Sequence, residues 1–149
     1  MDKLFLDANV VIDFLCQRNG FYLPAATLIT KGYKNEVELW CSSLTFATAS
    51  YLMERRHTPT KEILQKLSDF ITVCQPSVVD RSIIEKALSS DFEDFEDALQ
   101  YYSAKNCSAN IIITRNLNDF SASDISVLSP TDYIVKNNKS RVIVSSTPY

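Results

Sequence analysis

Apolar runs and helix-patterned stretches alternate along the chain and predict an α/β fold with a mostly parallel central sheet flanked by helices. Three observations carry that class. Residues 110–114 contain three consecutive isoleucines, the mark of a strand buried on both faces. Short apolar runs at residues 3–6 and 37–41 each lead into a helix-like segment. The first run ends on a carboxylate, Asp7, and open α/β sheets place their chemistry at strand C-termini.

The elements follow in order. Residues 3–6 read as a strand and 9–16 as a short helix, with a turn at Arg18-Asn19-Gly20. Apolar residues recur with helical period from Tyr22 to Tyr33, Pro24 suits the first turn, and Gly32 and Asn35 mark the stop. After the strand at 37–41, Ser42-Ser43 offers an N-cap for a helix over about 44–56. Thr60 is placed to cap a helix over 61–69. Residues 70–74 read as a strand, 76–80 as a loop, and Asp80 as the cap of the next helix. A helix over about 94–106 precedes the isoleucine strand. A short strand at Val127-Leu128, a helix over 131–136, an edge strand at 141–144 and a frayed tail from Ser145 complete the expectation. This divides the chain into a domain over 1–136 and a C-terminal extension over 137–149.

The totals narrow the function. With 149 residues, 46% of them hydrophobic, a sizeable single core is expected. The net charge of −3 gives no global basic footprint, so nucleic-acid binding would need a local basic patch or metal ions. Only Gly20 and Gly32 are present, which excludes glycine-rich phosphate loops. Cys16, Cys41, Cys74 and Cys107 match no zinc spacing and read as free, buried thiols. No signal-like start and no long apolar span is seen, so a soluble, reduced, cytoplasmic protein without membrane contact is expected. The single histidine, His57, follows Arg55-Arg56 at a helix end, which disfavours histidine acid–base chemistry.

Acids occupy three special places. Asp7 ends strand one, Asp94 and Asp97 share a face at a helix start, and Asn116 and Asp119 follow the isoleucine strand. In a parallel sheet these positions lie at one edge. Converging carboxylates stay ionised together only around a cation, and oxygen ligands without His or Cys favour Mg²⁺ or Mn²⁺. Such a site suits hydrolysis of a phosphodiester. Each acid also has a purely structural reading: Asp7 as a helix N-cap on the amide of Asn9 or Val10, Asp94 as an N-cap with Asp97 as the acid of a capping arrangement, and Asp119 as a turn former.

Three segments together carry a resemblance. Leu6-Asp7-Ala8-Asn9 and the apolar residues after it resemble the opening motif of PIN domains. Asp94-Phe95-Glu96-Asp97-Ala98 is similar to their central motif, and Thr114-Arg115-Asn116-Leu117-Asn118-Asp119-Phe120 to their last. The resemblance runs in order from Lys3 to about Val135 and is nearest the bacterial VapC-like toxin branch. It implies a three-layer α/β fold and a Mg²⁺- or Mn²⁺-dependent ribonuclease acting on RNA, with an antitoxin partner and a homodimeric state. Carried over, Asp7 and Asp97 are metal-binding acids with Asp94 as companion. Asn116 and Asp119 complete the catalytic group. Asn9, Thr114 and Thr48 orient carboxylates, and Arg115 and Arg18 contact phosphate.

One position departs from the family. Its usual helical glutamate is replaced by Thr48, and Glu54, about 600° further around an α-helix, faces elsewhere. Asp13 is a candidate for partial compensation. The departure opens an alternative: a PIN-fold module that binds RNA or a partner with weakened catalysis. A receiver-like phosphoacceptor domain is a further alternative, but it generally wants a lysine where Thr114-Arg115-Asn116 stands.

Overall fold

A computed structural model describes residues 1–145, with side chains as far as residue 138. Strands β1 (Lys3–Leu6), β2 (Glu38–Ser42), β3 (Cys74–Ser77), β4 (Ile111–Ile113) and β5 (Ser126–Leu128) form one sheet in the order β3-β2-β1-β4-β5. Every pairing is parallel. The chain lays β1, β2 and β3 outward in one direction, then returns to place β4 on the other side of β1. The order therefore reverses between β1 and β4, the crevice where open α/β sheets bind ligands.

Side-chain alternation along the central strands sets the layers. Leu4, Leu6, Ile111 and Ile113 point into one core with Val10, Val11, Leu28 and Met53. That core is covered by α1 (Ala8–Leu15), α2 (Tyr22–Tyr33), α3 (Ser43–Arg55) and α4 (Thr60–Phe70). Phe5 and Ile112 point the other way, onto Tyr101 and Ala104 of α6 (Phe95–Asn106) and onto Phe120. Helix α5 (Arg81–Leu88) packs against α6 through Ile83, Ala87, Ala98 and Leu99. The predicted α/β class with helices on both sheet faces is thus observed.

Helix ends show a common device. Gln17, Asn35, His57 and Ser108 follow the C-caps of α1, α2, α3 and α6, and each takes a positive φ of 50–64°. The next amide in each case bonds back across the last turn, as Glu36 N does to the Lys31 carbonyl at 2.9 Å. The four cysteines are free and buried, as expected. Among the described residues no helix is long and apolar enough to cross a membrane.

Several boundaries differ from expectation. The apolar letters of residues 70–73 close α4 and the following turn, where Phe70 is buried and the Thr72 hydroxyl donates to the Asp69 carbonyl at 2.6 Å. The strand is instead β3, and it contains Pro76, which an edge strand tolerates because one side needs no donor. Thr60 is the first residue of α4, and no side chain caps that helix. The edge strand expected at 141–144 is helical. Helix α7 (Pro130–Ser145) runs unbroken through residue 136, since neither Gly nor Pro interrupts residues 131–145. The tail expected to fray lies, from Ser146 on, outside the described residues.

Gly32 fits for a reason of space. A Cβ there would come 2.4 Å from Leu39 Cδ1 and 2.9 Å from its Cγ, and Leu39 is fully buried. Gly32→Ala should therefore destabilise the protein by about 1–2 kcal/mol, overpacking outweighing the gain in helix propensity. Urea unfolding measures this, and a stabilised variant would show that Leu39 moves freely.

Candidate active site

Asp7 and Thr114 stand one residue beyond the paired ends of β1 and β4. The Asp7 amide donates to the Ile113 carbonyl at 2.9 Å, so the ladder carries on to the aspartate itself. Its carboxylate is only 6% exposed and fully engaged. Oδ1 accepts from the Ala8 amide at 2.8 Å, capping α1, and Oδ2 accepts from Thr114 Oγ1 at 2.8 Å. Thr114 Oγ1 in turn accepts from the Asn116 amide at 3.0 Å and from Asn9 Nδ2 at 3.5 Å. One hydroxyl thus fixes the Asp7 rotamer, the start of the following loop and the Asn9 amide. Burial raises the Asp7 pKa and the charge of Asp119 adds to this, while the Thr114 and Ala8 hydrogen bonds act in the opposite sense. The cap was expected on the amide of Asn9 or Val10; it falls on Ala8.

The second group of acids sits at the start of α6. Asp94 caps that helix by accepting from the Asp97 amide at 3.0 Å, so the capping reading is correct as well. Asp97 is half-buried, and its carboxyl is pushed up to about 7 by desolvation first, then by the charges of Asp94, Asp7, Asp119 and Glu96. Asp119 belongs to a 3₁₀ turn over Leu117–Phe120 that Phe120 anchors in the core. Chain segments far apart in sequence therefore bring their acids into one electrostatic field.

The donor chemistry fits a hard cation, since every group is an oxygen and the carboxylates repel one another. Asn9 Oδ1 is buried with no hydrogen-bond partner, a further oxygen beside Asp7. Among the described residues, however, no three His, Cys, Asp or Glu side chains stand close enough to grip a metal together. The two facts agree if the acids rim an opening. Such a rim suits a cation that keeps several waters and takes few protein ligands, as Mg²⁺ does.

The sequence matches the PIN domain over residues 3–118. The chain belongs to the PIN-domain family. It is 25% identical over 142 residues to Ribonuclease VapC1 of Aquifex aeolicus (strain VF5), covering 92% of this chain and 96% of that protein. Its fold is similar to a chain of VapBC2 from Rickettsia felis, solved bound to a DNA fragment from their promoter. That match has a TM-score of 0.61 at 15% identity and covers 85% of this chain and 98% of the other. A chain of FitAB, solved bound to an IR36 DNA fragment, aligns with a TM-score of 0.49 at 20% identity, covering 85% and 94%.

In this PIN domain the two arginines expected at phosphate are engaged elsewhere. Asp13, 1% exposed, accepts from Arg115 Nε at 2.7 Å and Nη2 at 3.2 Å, and Arg18 Nη1 stands 3.6 Å away. Asp13 is therefore the partner of two cations and does not stand in for the missing glutamate. The Arg115 guanidinium also lies over the Phe21 ring, 4.0 Å from its centre. Nη1 of Arg115 keeps no partner among the described residues. Sequence reasoning missed Phe21 altogether; nothing in its context signals a role. Asp13 did leave a trace, as the one charge within the otherwise apolar run from Val10 to Cys16.

Thr48 is exposed, and its hydroxyl folds back onto the Leu44 carbonyl at 3.3 Å. Glu54 is exposed near the end of α3. Neither supplies a carboxylate in the family's position.

The raised Asp97 pKa makes a prediction about stability. Between its ordinary value of 3.8 and about 7, the folded state holds a proton that the unfolded state has released. Stability is lost as pH rises through that window, and ionised Asp97 is a net cost above it. In EDTA, Asp97→Asn should melt higher than wild type at pH 8 and at the same temperature at pH 4. An offset independent of pH would mean that neither burial nor its charged neighbours raise the Asp97 pKa in the folded state.

Proposed function

We propose that this PIN domain is a divalent-metal-dependent endoribonuclease and the toxin half of a toxin–antitoxin pair. The observation that carries the reading is the shared field of Asp7, Asp94, Asp97 and Asp119 at the switch point of the sheet, where burial first and then the charge of its neighbours lift Asp97 to about 7. Acids so arranged bind a cation and lose their repulsion together. Similarity along nearly the full length to Ribonuclease VapC1 supports the nuclease chemistry. The paired naming of VapBC2 supports an antitoxin partner. RNA as substrate, a homodimeric state and a cytoplasmic location belong to the same reading and rest on the family.

Asp7 and Asp97 would hold Mg²⁺ or Mn²⁺, with Asp94 beside them and Asn116 and Asp119 completing the group or holding water. When bound, the cation supplies charge neutralisation at phosphate and activation of water for in-line attack. The chain's own residues do the positioning. Thr114 and the Ala8 amide lock the Asp7 carboxylate, so no rotamer freedom is lost when it takes a ligand. Asp119, exposed on its turn, is placed to orient water at the rim of the site. Arg115, steered by Asp13, offers Nη1, which has no partner among the described residues, to the developing phosphate charge.

Asp7→Asn keeps an acceptor for the Ala8 amide but loses the charge. RNA cleavage should fall by more than about 100-fold, since a direct ligand matters more than the outer contacts whose loss already costs 10–100-fold. The melting temperature should hold or rise. Retained cleavage by this variant would overturn the assignment.

A second reading has its own support. Thr48 stands where the family has glutamate, and the acids do not close into a three-carboxylate group among the described residues. On that reading the protein binds RNA or a partner and turns over weakly or not at all. Thr48→Glu separates the two: calorimetry should show Mn²⁺ affinity rising by about tenfold, with cleavage rising in parallel. Higher affinity with no cleavage would favour the binding module.

A further inference from the structure

Beside the loop that carries Asn116 and Asp119 lies a cavity of about 330 Å³ whose aromatic wall, Phe21, has no part in the proposed chemistry. Asp13, Phe21, Arg115, Asn116, Ser129 and the start of α7 at Pro130 and Thr131 line it. Arg115 and Asn116 also line the groove that leads to Asp119, so the cavity adjoins the candidate catalytic loop. We propose that this cavity is a subsite for one unpaired nucleobase of a single-stranded RNA, stacked on the Phe21–Arg115 pair. The inference rests on the ribonuclease reading and adds to it where a flanking nucleotide is held.

The geometry supports this in three ways. Phe21 is 44% exposed although it is large and apolar, and it contributes no side-chain cap to α2. Its position is nonetheless fixed, because its amide and that of Tyr22 both donate to the Arg18 carbonyl, at 3.1 and 2.9 Å. Gly20, at φ +86°, permits the preceding turn. Secondly, Arg115 is held in place. Asp13 accepts from its Nε and Nη2, and its Cζ stands over the Phe21 ring, so guanidinium and ring form one cation–π unit. Unpaired bases stack on aromatic rings and on arginine planes in this manner.

Thirdly, charge and hydrogen-bonding groups are suited to a nucleotide. Two arginines share one buried carboxylate, so the cluster carries excess positive charge toward a phosphate in an otherwise acidic neighbourhood. The Asn116 side chain has no partner among the described residues, and Ser129 Oγ accepts from the Asp132 amide at 3.1 Å, leaving its hydroxyl hydrogen to donate. These are groups that read a base edge.

The test uses the full chain and a fluorescein-labelled single-stranded RNA decamer. Binding is measured by anisotropy in EDTA, and cleavage is measured separately in Mg²⁺ or Mn²⁺. Phe21→Leu keeps apolar volume but removes the ring, and should weaken RNA binding by about tenfold, as loss of one stacked base does. Phe21→Trp should bind like wild type. Removing the base from one particular nucleotide of the RNA should reproduce the tenfold loss in wild type and cost Phe21→Leu nothing further. With cleavage active, Phe21→Leu should raise KM about tenfold and leave kcat within twofold. Wild-type cleavage with unchanged binding and KM in Phe21→Leu would overturn the subsite while the ribonuclease reading stands. Ring-dependent RNA binding without cleavage at any metal concentration would support the subsite and overturn the ribonuclease. No RNA binding by wild type would overturn the subsite as well.

Discussion

The hydrogen bond from Thr114 to Asp7 ties the ends of the two central strands to each other. It exists only because β1 and β4 are neighbours, which requires the chain to return across the whole sheet after β3. That bond sets the direction of the Asp7 carboxylate, and the same hydroxyl, as an acceptor, holds the start of the loop that carries Asn116 and Asp119 and the Asn9 amide. A buried carboxylate needs such partners simply to be tolerated. Here the partners that make it tolerable are also those that aim it, so the requirements of folding and of the site coincide at one hydroxyl.

Charge is divided into two compartments. On one side Asp97, its pKa raised by burial first, is raised further by the charges of Asp94, Asp7 and Asp119; on the other, Asp13 gathers Arg115 and Arg18. Arg115 touches both worlds, since its charge also lowers the Asp7 pKa while its hydrogen bonds go to Asp13. The buried Asp13 therefore positions a cation at the rim of an acidic opening without letting it collapse into the acids. A free arginine there would pair with Asp7 or Asp119 and neutralise the field on which cation binding depends.

The sequence made the sheet readable because strands buried on both faces leave few alternatives: three isoleucines in a row belong in a central strand. The acids were readable for a related reason, since strand ends and helix starts share one edge in a parallel sheet. What escaped was decided by tertiary context. Residues 70–73 have strand letters, but Phe70 earns more burial by closing α4 than by joining the sheet. Residues 141–144 have strand letters too, yet continue α7 because nothing stops the helix. The Asp13–Arg115 pair spans 102 positions, and no local pattern announces a contact at that range.

The helix ends carry a different consequence. Four helices stop on Gln17, Asn35, His57 and Ser108, residues with a Cβ in a backbone region that glycine enters without strain. Each such stop costs on the order of 1 kcal/mol, less for asparagine, against a typical folding margin of about 5–15 kcal/mol. None of the four belongs to the acidic opening. The fold thus holds an untapped reserve of stability away from its site, which leaves room for destabilising change within the site to be absorbed elsewhere.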